Sequence, residues 1–427
     1  MGTLLIRKGR VIDPSRNLDA VRDLWIKDGR IAPEGFTAER ADEVIDAPEM
    51  LVMPGFVDVH VHLREPGNEQ AETIESGCAA ALAGGFTSIV CMPNTTPAID
   101  NPEMVKRVLD KAASARGPRV YVMGAITLAR QGKRLAPLDQ MAKAGVVGFT
   151  DDGGGVQDET LTRMAIQRAA ALGLRIAEHC EVARLSEGGV MRRGPASERA
   201  CLPGLPPEAE SEMVARDLRL ARELKCSVHL QHLSAVQSVA LIRAAKARGV
   251  PFTAEVTPHH LALTDEQAAD GGPDFKMNPP LGFEGDRKNL CEALRDNVIE
   301  IIATDHAPHT AAAKARGFKD APSGVIGMEN AAAVVWTFVA QRGFLTPAQM
   351  AARMSTAPAA AFKIEGGTLK PGARADVVLF NPNVSWVVKP EEFRSRSRNC
   401  PFAGRTLHGR VACTIVGGEV KYRDALR

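Results

Sequence analysis

The chain has 427 residues, and 53 Lys and Arg against 51 Asp and Glu leave a net charge of +2. So even a balance gives no bulk field for nucleic acid, and aromatic residues, at 4%, are too sparse for base-stacking platforms. No run approaches the roughly 18 apolar residues that span a bilayer, and Leu4, Leu5 and Ile6 are too few for a signal-peptide core.

The first fifty residues read as short strands. Apolar runs at 4–6, 11–12 and 24–26 are followed by Lys27-Asp28-Gly29-Arg30, a hairpin-type turn. From about Met53 to Lys363, β-branched runs alternate with Ala-rich segments of helical spacing. Strands are expected at 55–63, 87–92, 120–126, 146–150, 174–178, 227–231, 251–257 and 299–304. Helices are expected at 75–83, 102–113, 159–172, 208–224 and 235–246. About eight such repeats exceed the five or six parallel strands of a doubly wound sheet and predict a (β/α)8 TIM-like barrel, an α/β fold. The last sixty residues return to strand texture at 375–380, 386–388 and 411–416, then Gly417-Gly418 and Val420. The two similar ends predict a small β-sandwich domain from both termini, 1–53 with 365–427, around a barrel of 54–364; two independent caps are the alternative. Eight scattered cysteines without a C-x-x-C pair read as reduced thiols in a cytoplasmic chain.

In such a barrel the carboxyl ends of the strands carry the site. Those ends read His60 and His62, Asn94, Asp151 and Asp152, His179, His232, His259 and Asp305. His60-Val61-His62 is the sharpest element. Residues i and i+2 of a strand share a face, and two imidazoles there make half a zinc coordination shell. A lone H-x-H also fits surface histidines, but the lead-in Pro54-Gly55-Phe56-Val57-Asp58 and the acidic strand end far downstream favour metal. Asp305 closes an apolar strand (Ile299, Ile301, Ile302), where a carboxylate needs a metal or a salt bridge. His179 and His232, each as readily a core histidine when taken singly, read beside the H-x-H pair as the nitrogens of a second metal. Two metals about 3.5–4 Å apart need an anionic bridge. Asp151 or Asp152 could supply it, and spacing does not choose. His229, His259, His260 and His306 read as structural or supporting, and His408 as a surface residue.

Several of these segments carry a resemblance. His60-Val61-His62-Leu63-Arg64-Glu65-Pro66-Gly67, Met92-Pro93-Asn94-Thr95, Phe149-Thr150-Asp151-Asp152-Gly153 and Ala177-Glu178-His179 are the first four. Gln231-His232-Leu233-Ser234, Lys276-Met277-Asn278-Pro279-Pro280, Asp305-His306-Ala307-Pro308-His309 and Asn399-Cys400-Pro401-Phe402 complete the set. Together they resemble the amidohydrolase superfamily and, within it, the bacterial dihydroorotases of the type-I class, over nearly the whole chain.

The resemblance implies two Zn2+ per chain, one on His60, His62 and Asp305 and the other on His179 and His232; other divalent ions suit the same donors. It implies Asp152 as the bridge, where many relatives use a carboxylated lysine. It also implies a substrate carboxylate held by Arg64, Asn94 and His309, a ring contact from Asn278, and backbone contacts from Ser323 and Gly324 on a mobile loop. A guanidinium fork suits a carboxylate, the alternative being a surface salt bridge to Glu65. The implied activity is that of a zinc-dependent cyclic amidohydrolase of de novo pyrimidine synthesis. It interconverts N-carbamoyl-L-aspartate with (S)-dihydroorotate and water through a metal-bridging hydroxide, with Asp305 as catalytic proton shuttle. The implied partners are that small-molecule substrate and a second copy of the chain in a homodimer, or aspartate transcarbamoylase; nucleic acid and membrane are not among them.

Departures from the family pattern at Ala71, Ala312, Ala313, Ser323 and Asn330 touch the loop's closing contacts rather than the ligands. Two rivals stand beside this reading. A dihydropyrimidinase or allantoinase would leave Arg64 without a partner. A non-catalytic scaffold would have no use for the retained ligands.

Overall fold

A computed structural model describes residues 2–424. Eight parallel strands in chain order form the barrel wall: β1 (Phe56–Val61), β2 (Phe86–Cys91), β3 (Arg119–Gly124), β4 (Gly148–Phe149), β5 (Ile176–Glu178), β6 (Val228–Leu230), β7 (Phe252–Val256) and β8 (Ile301–Ile302). All eight lie inside or beside the expected runs. The expected helices also form, at Ile74–Ala83, Pro102–Ser114, Glu159–Ala171, Glu208–Leu224 and Val236–Ala247. Three of them start on a side-chain cap. Thr73 accepts from Ser76 N at 3.1 Å, Asn101 from Met104 N at 3.0 Å and Asp158 from Leu161 N at 2.8 Å.

The wall nearly closes, and its seam is made by side chains as much as by backbone. His62 N donates to His306 O at 2.9 Å, beside a single parallel bridge between Val61 and His306. The buried Asp58 carboxylate does the rest. It accepts from Thr304 N at 3.1 Å, from Thr304 Oγ1 at 2.6 Å and from His60 N at 3.2 Å. One carboxylate thus ties the first strand to the last, directly beneath two of the expected metal ligands. Val57, Val59, Met92, Met123, Ala177, Ile301 and Ala303 form an apolar cluster with Phe362 and Ile364.

The two ends of the chain build a separate sheet, as their matching texture predicts. Its hydrogen-bonded order is Glu419–Arg423, Thr406–Val416, Val377–Val387, Leu51–Pro54, Thr3–Asp13, Leu18–Lys27 and Arg30–Ile31, with Glu43–Asp46 also on Thr3–Asp13. Leu51–Pro54 is the strand that joins the halves, pairing with Thr3–Asp13 on one side and Val377–Val387 on the other. The Asp28-Gly29 turn sits where expected, with Ile26 opposite Ile31. The run at 386–388, read from sequence as a strand of its own, is instead largely the end of the long strand Val377–Val387. Strand periodicity sorts the faces. Val52, Val377 and Leu379 fill the sheet's own core, while Leu51, Met53, Val378 and Phe380 join the core of the barrel and its helices. Gly55 links sheet to barrel at a point where a Cβ would lie 2.2 Å from Thr87 Cγ2.

Residues 388–405 leave this sheet and cross to the mouth of the barrel as a strap. Glu329 accepts from Arg394 N at 2.8 Å and Ser395 N at 3.0 Å, and the buried Glu72 from Arg396 N at 3.0 Å and Ser395 Oγ at 2.5 Å. Ser397 Oγ donates to Ala71 O at 2.7 Å.

Removing the Asp58 carboxylate leaves three buried donors unpaired at the seam. Asp58→Ala is expected to cost about 3 kcal/mol or more of stability, and Asp58→Asn, which keeps an acceptor, clearly less. Urea denaturation checks this, and equal midpoints for Asp58→Ala and the unmodified chain would contradict it.

Candidate active site

At the carboxyl ends of the barrel strands lies a cavity of about 300 Å³. Its lining includes every residue to which the resemblance assigns a ligand or substrate contact except His60, which is fully buried behind it; Asp151 and His259, also read at strand ends, do not line it. His60 and His62, at and just beyond the end of β1, have ring centroids 5.4 Å apart. His179 follows β5, and His232 lies two residues past β6; their rings stand 4.6 Å apart. Asp305 follows β8, and Asp152 comes three residues after β4.

Asp152 is the hub of this group. Its Oδ1 lies 3.2 Å from His60 Nε2 and 3.7 Å from both His179 Nδ1 and His232 Nε2, while its Oδ2 lies 3.5 Å from His62 Nε2. Asp305 Oδ1 lies 2.9 Å from His62 Nε2 and 3.6 Å from His60 Nε2. The two adjacent carboxylates differ in direction. Asp151 turns away to accept from Thr127 N at 3.0 Å and from the Thr127 hydroxyl, and Asp152 alone faces the imidazoles.

The rings are set by acceptors on their far sides. His60 Nδ1 meets Glu255 Oε1 at 2.6 Å, His62 Nδ1 meets Asn94 Oδ1 at 2.8 Å and His179 Nε2 meets Glu181 Oε2 at 2.9 Å. Each acceptor takes one ring N–H and so fixes the tautomer of the neutral ring, turning the other nitrogen to the shared centre, where His62 Nε2 lies 2.9 Å from Asp305 Oδ1 and His179 Nδ1 2.9 Å from His232 Nε2. Buried His60 Nε2 has no hydrogen-bond partner and confronts two carboxylate oxygens. A bare nitrogen against anions is unfavourable until a cation lies between them, so the donor set fits metal. His60, Asp152 and His232 form one group with ligand atoms within 4.8 Å of one another, and His60, His62 and Asp305 form another.

The local charges follow from this crowding. Burial alone would raise the Asp152 carboxyl, but with the inner ring nitrogens protonated, the His60 charge and the His179 and His232 hydrogen bonds outweigh it and hold it well below the usual range. Asp305 is likewise depressed, with burial overcome by His60 and His62. Burial also pushes Glu255 up, yet His60 and His229 bring it down to about 2. Backbone conformation contributes as well: Arg64, His232 and Asp305 have φ of 59°, 30° and 47°. Left-handed backbone at non-glycine residues costs of order 1–3 kcal/mol each and turns these side chains off their strand ends toward the cavity.

Beside the metal-type cluster stands a cationic wall. Arg64 Nε donates to Pro308 O at 3.0 Å, and its Nη2 lies 3.3 Å from His309 Nε2. His309 Nε2 itself donates to Ser323 O at 2.8 Å, so it is not an acceptor for Arg64 and the guanidinium edge stays available. Glu65, the alternative partner for Arg64, accepts instead from Ile74 N at 2.9 Å. Gly324, with φ of 129°, has no room for a side chain: a Cβ would stand 3.0 Å from His309 Nε2. Asn278 Nδ2 reaches Glu181 Oε2 at 2.5 Å, which places it against His179.

Four participants escaped the sequence reading. Glu255 holds both His60 and, at 2.9 Å, His229 Nε2; a single acid within the alternating run Phe252–Val256 was the available signal. Glu181 orients His179 from two residues away. The Arg130 guanidinium donates to the backbone carbonyl of Asp152. Glu72 carries the strap and also meets His306 Nε2 at 3.3 Å, which explains a histidine that read as structural. His260 is held by Pro279 O at 3.0 Å, and His408 is half-buried with Ser385 Oγ at 2.8 Å.

A barrel of this topology with clustered histidines and carboxylates at its mouth is the architecture of a metal-assisted hydrolase. A profile of the Amidohydrolase family matches residues 51–421, and the chain belongs to that family. It is 47% identical to a dihydroorotase of Pelotomaculum thermopropionicum over 423 residues, 99% of each chain. It is 42% identical to a dihydroorotase of Syntrophus aciditrophicus, again over 99% of each. Among solved structures, the L-hydantoinase (dihydropyrimidinase) of Arthrobacter aurescens superposes with a TM-score of 0.89 at 25% identity, covering 99% of this chain and 96% of that one.

The position of His309 has a consequence for acid stability. Burial, reinforced by the neighbouring Arg64 charge, lowers its pKa to about 3, whereas an unfolded histidine titrates near 6.5. Between those values the unfolded chain binds one more proton, so stability falls as pH drops through that window. His309→Gln should flatten the decline by up to ~1.4 kcal/mol per pH unit. Urea titrations between pH 6.5 and 4 measure the slope, and parallel slopes for the two proteins would contradict it.

Proposed function

We propose that the chain is a dihydroorotase of the type-I bacterial class, a zinc-dependent cyclic amidohydrolase. It interconverts N-carbamoyl-L-aspartate with (S)-dihydroorotate and water in de novo pyrimidine synthesis. The observation that carries the reading is the juxtaposition of Arg64, Asn94 and His309 with the His–Asp cluster inside one cavity. A cyclic amide bearing a carboxylate needs both halves. The full-length similarity to dihydroorotases supports the same substrate.

In this reading His60, His62 and Asp305 would hold one Zn2+ and His179 and His232 the second, with the Asp152 carboxylate within reach of both groups. Zinc bound there supplies an acidified water near neutral pH and polarises the amide carbonyl. The chain's own groups do the rest. The Arg64 fork pairs with the carboxylate of dihydroorotate, and the Asn94 amide and His309 ring orient it. Asn278 meets the ring. Ser323 and Gly324 line its far side. Asp305, depressed and therefore ionised, takes the proton of the attacking water at its carboxylate and returns it to the departing ring nitrogen. Ring closure runs the same transfers backwards from protonated Asp305.

We place the working protein in the cytoplasm, as a homodimer or in an assembly with aspartate transcarbamoylase. Eight cysteines scattered through the chain without a C-x-x-C pair support that placement; among the described residues no helix is long and apolar enough to cross a membrane. The division into 1–53 with 365–427 and 54–364 belongs to the same proposal.

The second reading, a hydantoinase or dihydropyrimidinase, draws on the structural likeness. It gives Arg64 no anion to bind, since dihydrouracil and allantoin lack the ring carboxylate. Arg64→Met should lower kcat/KM for dihydroorotate by about 10²–10⁴-fold, as expected for two charge-assisted hydrogen bonds, with metal content unchanged. Steady-state kinetics with dihydroorotate and dihydrouracil decide: robust turnover of dihydrouracil by the unmodified protein would overturn the assignment.

A further inference from the structure

Asn399 belongs to the strap, not to the barrel, yet its side chain bonds three residues that line the cavity, Ala307, His309 and Gly324. It is 3% exposed. Its Oδ1 accepts from His309 N at 3.2 Å, and its Nδ2 donates to Ala307 O at 3.1 Å and to Gly324 O at 3.0 Å. Its own carbonyl accepts from Ile326 N at 3.0 Å. An asparagine side chain has one acceptor group and two N–H donors, and here all of them are committed. The bonds span two segments, 307–309 and 324–326, which flank the cavity on its cationic side.

Those two segments carry the groups that face the proposed carboxylate. His309 presents its ring, Pro308 O anchors the Arg64 guanidinium, and Gly324 packs against Ala307 and His309 too closely for a side chain. The gap between the segments fixes where His309 and Arg64 stand relative to each other. Asn399 spans that gap with bonds to both sides, and the strap behind it is fastened by Glu72, Glu329 and Ser397. Aspartate at this position would keep the acceptor for His309 N but turn an anion toward two carbonyl oxygens. Alanine would keep neither. The residue chemistry is therefore specific to the two-sided task.

We propose that Asn399 is a positioning residue for the substrate carboxylate, through which the terminal sheet sets the spacing of His309, Arg64 and Gly324. This rests on the proposed dihydroorotate site, and its test separates the two claims. Kinetics with dihydroorotate and hydrogen exchange at 305–309 and 323–326 are measured on the unmodified protein, Asn399→Ala, Asn399→Asp and the control Ser397→Ala. Ser397 secures the same strap through Ala71 O without touching the cavity.

Both Asn399 variants should raise KM about tenfold, the effect of roughly one or two lost neutral hydrogen bonds, with kcat within about threefold. Exchange should quicken at the two segments alone, and Ser397→Ala should keep the unmodified KM. A KM within twofold for both variants overturns the proposal. So does a joint fall of kcat and metal content at constant KM, or failure of both variants to fold, since each makes Asn399 merely structural. If the unmodified protein does not turn over dihydroorotate, the proposed function falls and exchange alone judges Asn399. Quickening confined to the two segments sustains it, and unchanged protection rejects it.

Discussion

Two buried carboxylates facing four buried imidazoles are the constraint from which the rest of this structure follows. Such groups are costly to strip of water, and they remain together only when opposite charge and complete hydrogen bonding compensate. Asp152 and Asp305 meet that condition through rings whose outer nitrogens are already spoken for by Glu255, Asn94 and Glu181. The inner nitrogens are thereby turned toward the carboxylates, and that of His60 has no hydrogen-bond partner. A site so built gains most from cations, and the surrounding fold holds its donors at fixed separations before any cation arrives.

The barrel supplies that rigidity in a particular way. Its closing seam depends on Asp58, two residues from His60, so the closure of the wall and the placement of the first ligand pair share one carboxylate. Glu255 extends the same economy. One side chain orients His60 and fixes His229, whose ring packs against Phe362 at 5.1 Å. Polar order therefore runs from the apolar cluster up to the ligands without a break. The terminal sheet acts on the other side of the cavity, where the strap reaches groups that the barrel alone would leave to a loop.

Much of this was readable in the sequence because the signals are local. Eight apolar runs of barrel spacing, all but the third ending in a polar residue of narrow chemistry, pointed to strand positions and candidate ligands together. His60-Val61-His62 needed only the two-residue period of a strand. What escaped has a common cause, since it depends on partners distant in the chain. Asp151 and Asp152 are adjacent and alike, and only Thr127 on a neighbouring strand's loop tells them apart. Glu255 looks like the polar half of an alternating strand until His60, 195 residues away, is seen against it. Asn399 stood within a resembling motif, but its task is invisible until His309, 90 residues earlier, lies beside it. The terminal strand texture was equally plain, while the role of Leu51–Pro54 in joining both ends emerges only from pairing.

The most direct test of the account is crystallographic anomalous scattering at the zinc edge from protein purified with zinc. Two peaks are expected inside the barrel mouth, one against His60, His62 and Asp305 and the other against His179 and His232, with Asp152 between them. A single peak elsewhere on the molecule, or none at these side chains, would contradict the claim that the cluster exists to hold a pair of cations.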